Sequence, residues 1–201
     1  MAESGEPTRA FMKALPADTV LIVIDVQQAF DHPRWGHRNN PDAEANVARL
    51  LTAWRAQGRP VIHVHHCNPA PESRFNPGSP GVAVKPEALP LPGEPMLYKR
   101  VNSAFIGTDL EQRLRCAGAE TLVMVGLTTD HCVSTSTRMA GNLGFDTYIV
   151  ADATATFDRT GPDGKLYPAE LMHDTALASL HGEFAQVVST AQILEALAAN
   201  S

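Results

Sequence analysis

The chain has 201 residues, enough for one domain with a sizeable single core, and its 44% hydrophobic and 19% charged residues are ordinary for a globular domain. A formal net charge of −6, with no Lys/Arg run to offset it, excludes a surface that tracks nucleic-acid phosphates. No stretch approaches the roughly 18 consecutive apolar residues of a membrane span.

The opening MAESGEPTRAFMKALPADT is acidic at its start and lacks the apolar core of a secretory signal, so a cytoplasmic location is expected. Residues 1–17 read as an N-terminal extension and 18–199 as the domain. TVLIVID (19–25) is a continuous apolar run, the pattern of a strand covered on both faces. DAEANVARLLTAWRAQG (42–58) places Val47, Leu50, Leu51 and Trp54 at helical spacing, with Gly58 as a stop. PVIHVHH (60–66) is the second strand.

Residues 67–95 carry eight prolines and three glycines without periodicity, which predicts a long surface loop of functional interest. PMLYKR (95–100) is a short strand. TDLEQRLRCAG (108–118) is a helix with Thr108 as N-cap and Glu111 closing a capping box. ETLVMVGL (120–127) is a strand and HCVSTSTRMAGNLG (131–144) a helix ending at Gly144. FDTYIVADA (145–153) is a strand, with Asp152 expected to cap or brace a loop. PAELMHDTALASLHG (168–182) is a helix with Pro168 in its first turn. FAQVVST (184–190) is the last strand and AQILEALAA the closing helix.

Six strands separated by helices or long crossovers predict a single-domain, doubly wound α/β fold. Its mostly parallel six-stranded sheet would carry helices on both faces. Ligands in such folds bind outside the carboxyl ends of the strands. The first strand ends in Asp25, the second in His65 and His66, the third in Lys99, and the fourth leads through Thr128 and Thr129 to Cys132. Alone, each has a bland reading: a turn residue, a solvated charge, a core filler. Together they put an acid, an ammonium and a thiol on one sheet edge. Lys99 and a helix N-terminus would lower the thiol pKa, and Asp25 could take its proton and return it to a leaving group.

IDVQQAF (24–30), YKRVNSAFIGTDLEQRLR (98–115) and GLTTDHCVSTSTRMAGNLGF (126–145) closely resemble the isochorismatase-like cysteine hydrolases, which include nicotinamidases and N-carbamoylsarcosine amidase. The resemblance covers roughly residues 18 to 190. It implies a triad of Asp25, Lys99 and Cys132, and a cis peptide between Leu127 and Thr128. It also implies an oxyanion hole from the backbone N–H groups of Thr128 and Cys132. Isochorismatases themselves typically lack the cysteine, so Cys132 points to hydrolysis of a C–N bond in a small amide, carbamoyl or ureido compound through a thioester. The alternatives are metal-assisted nicotinamide hydrolysis by the same triad, and a catalytically silent binding or thiol-sensing relative. Family members commonly form homodimers or homotetramers, which is the expectation here.

Phe30, Trp35, His66, Phe105 and His131 are the candidate pocket residues. Adjacent residues entering a helix point about 100° apart, so His131 is not read as a base for Cys132. HVHHC (63–67) invites a metal, with His63 and His65 on one strand face and His66 on the other. Nicotinamidases use an Asp-x-His arrangement after this strand; none occurs here, although His32 and His37 could contribute. No metal and no cofactor is expected. The odd, widely spaced set of Cys67, Cys116 and Cys132 makes no disulfide framework, and Cys67 and Cys116 read as incidental. The segment 157–170 is expected, with the 67–95 loop, to shape the pocket mouth.

Overall fold

The apolar run at 19–25 forms the middle of the sheet. Strand β1 (Val20–Ile24) is buried at every residue, and its side chains divide between two cores: Val20, Ile22 and Ile24 enter one, Leu21 and Val23 the other. A period of two, with helices on both faces, requires that division. The computed structural model describes residues 14–199. In chain order the further strands are β2 (Val61–His66), β3 (Met96–Lys99), β4 (Thr121–Leu127), β5 (Asp146–Ala155), β6 (Arg159–Thr160), β7 (Leu166–Tyr167) and β8 (Gln186–Val188). Six of them make one parallel sheet in the order β3-β2-β1-β4-β5-β8, and β6 and β7 pair as a separate antiparallel hairpin.

Helices α1 (Ala43–Ala56) and α5 (Thr190–Ala198) cover one face. Val47, Leu50, Leu51 and Trp54 of α1, with Ile193 and Leu197 of α5, pack on Leu21, Val23, Val123 and Val125. Helices α2 (Leu110–Cys116), α3 (Ser134–Asn142) and α4 (Ala169–Leu180) cover the other, where Leu110, Leu114, Ala140, Leu177 and Leu180 meet Ile22, Ile24, Leu122 and Met124. The predicted three-layer fold is therefore observed. No helix of the described residues is long and apolar enough to cross a membrane.

Several local expectations are corrected. Leu15 is buried in the α1–α5 core, so the packed body begins before residue 18. Helix α2 starts at Leu110 after Asp109, and no capping box forms. The Thr108 hydroxyl donates to Ala104 O at 2.6 Å and accepts from Leu110 N at 3.3 Å, while Glu111 faces Arg115 at 3.5 Å. Pro168 stands one residue before α4, whose first N–H, from Ala169, goes to Asp158 Oδ1 at 2.8 Å. Strand β5 runs past Asp152 to Ala155, and Asp152 Oδ1 accepts from Thr190 N and Oγ1 at 2.7 and 2.9 Å, bracing the start of α5. The expected helix at 131–144 is a π-type turn, Thr129–Val133, running into α3.

Gln27, which is fully buried, is one of the residues that anchor the 67–95 segment. Its side-chain amide donates to His66 O at 3.1 Å and to Val82 O at 2.9 Å, and its carbonyl accepts from His66 N at 2.9 Å. One glutamine thus ties the end of β2 to the far half of the loop. At Gly126 the backbones of β1 and β4 approach so closely that a Cβ would lie 1.9 Å from Ile24 O, and φ there is +120°. Only glycine fits.

Candidate active site

Asp25 follows β1 directly, in the left-handed region (φ 52°), where aspartate is among the better tolerated residues. Its N–H is held by Val64 O at 2.8 Å. Lys99 is the last residue of β3, and its side chain is wholly buried, as is that of Asp25. Cys132 lies within the π-type turn, closed by Val133 N donating to Thr128 O at 3.2 Å, and the Leu127–Thr128 peptide before it is cis. These three segments meet at one point. Lys99 Nζ donates to Asp25 Oδ2 at 2.6 Å and to Cys132 Sγ at 3.1 Å, and lies 3.3 Å from His66 Nδ1.

An ammonium has three protons, and these three contacts use all of them. His66 Nδ1 is therefore an acceptor, and the ring's own proton sits on Nε2. Burial and then the Lys99 charge lower the His66 pKa, which keeps the ring neutral. Asp25 Oδ1, unlike Oδ2, is buried without a hydrogen-bond partner.

The electrostatics correct one expectation. Lys99 does not leave the thiol easily ionised: burial first, and then the Asp25 charge, push Cys132 up to about 12, outweighing the ammonium. Burial likewise raises the Asp25 carboxyl, against the opposing pull of Lys99. A thiolate and a carboxylate so close compete for one cation in a dry site, so the resting thiol keeps its proton. A raised carboxyl is also a stronger base, the direction a proton acceptor for a thiol needs.

Above the three groups lies a cavity of about 140 Å³. Phe30, Trp35 and Phe75 line one part of it, the Phe30 ring centroid lying 5.4 Å from Trp35 and 5.2 Å from Phe75. Phe157 stacks behind them, 5.5 Å from Trp35. The polar lining comes from His66, Asn102, Thr128, His131 and Arg159. The Arg159 Nε and Nη2 atoms are held by Asp130 at 3.0 and 3.4 Å, leaving Nη1 outside that pair. A larger recess of about 560 Å³ sits at the opposite edge, beside the starts of β1 and β2 at Val20 and Val61, away from the triad.

Of the residues expected in the pocket, Phe30, Trp35, His66 and His131 are there. Phe105 is not: it packs on the α2–α4 core, stacked on Phe145 at 6.2 Å. Phe75, Asn102 and Arg159 were not anticipated. Asn102 follows Lys99 by three residues and could have been suspected. Phe75 and Arg159 lie inside the two segments expected to form the mouth, in stretches without a period to place a side chain.

Among the described residues, Asp25, His66 and Cys132 are the one group whose metal-type ligand atoms converge, all within 4.8 Å of one another. The Lys99 ammonium already sits among them, donating to two and 3.3 Å from the third. The donor set is thus fitted to a lysine cation. His63 and His65 point elsewhere, His63 Nε2 meeting Glu94 Oε2 at 2.9 Å and His65 edging onto Tyr98. His32 accepts from Arg34 N, and His37 pairs with Asp158.

Comparison with known proteins bears on the family and the fold. The Isochorismatase domain model matches residues 19–192. The isochorismatase family protein YrdC of Bacillus subtilis (strain 168) is 47% identical over 174 residues, covering 87% of this chain and 93% of its own. Ureidoacrylate amidohydrolase RutB of Methylobacterium radiotolerans is 30% identical over 218 residues, covering 90% of this chain and 80% of its own. A solved isochorismatase-family structure from Chromobacterium violaceum ATCC 12472 superposes with a TM-score of 0.92 at 46% identity, covering 94% of this chain and 98% of the other.

Proposed function

The chain belongs to the isochorismatase family, and from that membership we propose that it is a thiol-dependent hydrolase cleaving the C–N bond of a small amide or ureido compound. The observation that carries this reading is one buried ammonium shared between a carboxylate and a thiol at the floor of a small cavity. Asp25 Oδ1, the unpartnered oxygen, takes the thiol proton as Cys132 Sγ attacks the carbonyl carbon. The oxyanion is received by the backbone N–H groups of Thr128 and Cys132. When the C–N bond breaks, its electron pair leaves on nitrogen, which collects the proton from Asp25 and departs as ammonia or an amine. Water then gives its proton to Asp25 as it attacks the thioester, and the sulfur recovers that proton on leaving.

The cavity sets the substrate class. Its volume of about 140 Å³ admits a small molecule, its aromatic wall favours a planar one, and Arg159 favours one carrying a carboxylate. A ureido acid satisfies all three, and the RutB relative is by name a ureidoacrylate amidohydrolase. The same reading includes self-association into a homodimer or homotetramer, supported by Met96 and Tyr98, which are exposed on the edge strand β3. It also includes a reducing, cytoplasmic setting, supported by three free cysteines.

An ammonia-release screen over small amides and ureido acids, with Cys132→Ser as control, tests it. Release by the unsubstituted protein, reduced about a thousandfold or more in Cys132→Ser, is the expected result. Equal release by both proteins would remove the thiol from the chemistry.

A further inference from the structure

Behind the nucleophile turn lies a buried histidine that the reaction described above does not use. His173 falls on the inward stripe of α4 with Ala169, Leu177 and Leu180, and is 6% exposed. Its Nδ1 lies 2.9 Å from Thr129 Oγ1, and its Nε2 lies 3.4 Å from Asn40 Nδ2. Thr129 sits between Thr128 and the rest of the turn that carries Cys132, and its carbonyl accepts from Ser134 N.

The surroundings decide the tautomer. Asn40 Nδ2 donates to Ala151 O at 2.9 Å and to Thr154 O at 2.8 Å, which orients the amide and commits both of its protons. A proton on His173 Nε2 would face another donor. The proton therefore sits on Nδ1 and is donated to Thr129 Oγ1. Asn40, in turn, is fixed by backbone carbonyls of β5, so the chain of contacts runs from the sheet through the histidine to the turn.

We infer that His173 is a positioning residue for the nucleophile turn: through Thr129 it fixes where the Thr128 N–H and the Cys132 thiol stand relative to Asp25 and Lys99. This rests on the thiol-hydrolase reading. A displaced turn leaves the pocket lining in place but misaligns attack, so turnover falls while substrate binding stays. Misplacement of reacting groups by about 1 Å is worth on the order of a hundredfold in rate.

The test compares the unsubstituted protein with His173→Leu, His173→Asn and Thr129→Val, reading kcat and KM separately and recording imidazole ¹⁵N shifts. His173→Leu and Thr129→Val are expected to lower kcat about tenfold or more with KM changed less than threefold. His173→Asn, whose amide N–H stands where Nδ1–H stood, is expected to restore most of that loss. The ¹⁵N pattern of His173 is expected to show the Nδ1–H tautomer. An Nε2–H pattern in the unsubstituted protein would overturn the inference. So would a His173→Leu protein that is less stable yet keeps its kcat, or a failure of His173→Asn to recover any of the loss. If the unsubstituted protein releases no ammonia from any amide, the hydrolase reading fails instead, and the tautomer pattern decides the placement of His173 alone.

Discussion

Lys99 engages only one oxygen of Asp25. Its ammonium meets Oδ2 at 2.6 Å, and Oδ1 is left buried without a partner, in a pair with no solvent exposure on either side chain. The lysine thereby holds the carboxylate by one oxygen, and the other is the one proposed above to receive the thiol proton. An Asp25→Asn protein is expected to fail in two ways. Turnover should fall at least a hundredfold, because the amide is no base. Stability should fall by about 3–5 kcal/mol, because a buried ammonium loses its counter-charge. Urea unfolding and ammonia release measure the two losses, and turnover within tenfold of the parent would show that Asp25 is not the base.

The thiol is the second place where burial decides the outcome. Burial pushes the Cys132 thiol up to about 12, so near neutral pH it holds far less thiolate than an exposed cysteine. Iodoacetamide at pH 8 is therefore expected to label the exposed Cys116 well before Cys132, whose labelling should still be climbing at pH 10. Peptide mass spectrometry across pH 6–10 reads both sites. An inflection for Cys132 below pH 8 would mean that the ammonium prevails over desolvation.

Phe75 tests the pocket without touching the triad. It reaches the cavity from the proline-rich segment and meets both Phe30 and His66 edge-on, at 5.2 and 5.1 Å. Phe75→Ala should raise KM about tenfold and leave kcat within threefold, since a lost aromatic wall weakens ground state and transition state alike. Steady-state kinetics on the best substrate from the screen gives the split. A fall in kcat with KM unchanged would place Phe75 among the groups that orient the reacting atoms.

These sites differ in how far the sequence reveals them. Continuous apolar runs such as 19–25 mark strands covered on both faces, and strand ends mark the site, so Asp25, Lys99 and Cys132 can be brought together before any coordinates. Phe75 cannot, because the 67–95 segment has no period and is held by contacts distant in sequence, such as Gln27 to Val82 O across 55 residues and Lys85 to Glu44 across 41. Arg159 depends on Asp130, and His173 on Thr129, in the same way. Phe105 lies beside a triad motif in sequence, yet its ring turns to the core because Phe145 offers a stacking partner there. The thiol pKa escapes the sequence for another reason: neighbours can be read from it, but the balance between an ammonium and desolvation cannot.

Acid should act through the charged cluster beside the aromatic wall. Burial alone would raise Glu44, but hydrogen bonds from Arg38 and Lys85, at 2.7 Å each, outweigh it and hold the carboxyl at about 2 instead of 4.5. Lys85 also meets Asp31, the residue after Phe30. A carboxyl depressed on folding contributes stability that is complete above about pH 4.5 and disappears as the pH falls towards 2. Discounted for solvent screening, the amount is on the order of 1–3 kcal/mol. Glu44→Gln should therefore be less stable than the parent at pH 7 and show a flatter decline between pH 5 and 3. Parallel urea-unfolding curves over that range would show that Glu44 is not the group responsible.

The glycine of β4 that faces Ile24 gives the sharpest stability prediction. At Gly126 a methyl group would overlap Ile24 O at 1.9 Å, and φ of +120° is closed to residues with a Cβ. Neither strand can retreat: β1 and β4 are both buried at every residue, with helices packed on each face of the sheet. Gly126→Ala is expected to cost more than about 4 kcal/mol, or to leave no folded protein. Gly144→Ala is the control, because Gly144 also has positive φ (85°) but nothing within 4 Å of the added methyl. It should lose only about 1 kcal/mol. Thermal melts of the two variants separate steric overlap from dihedral strain, and a Gly126→Ala protein melting within a few degrees of Gly144→Ala would show that β1 and β4 can part without loss.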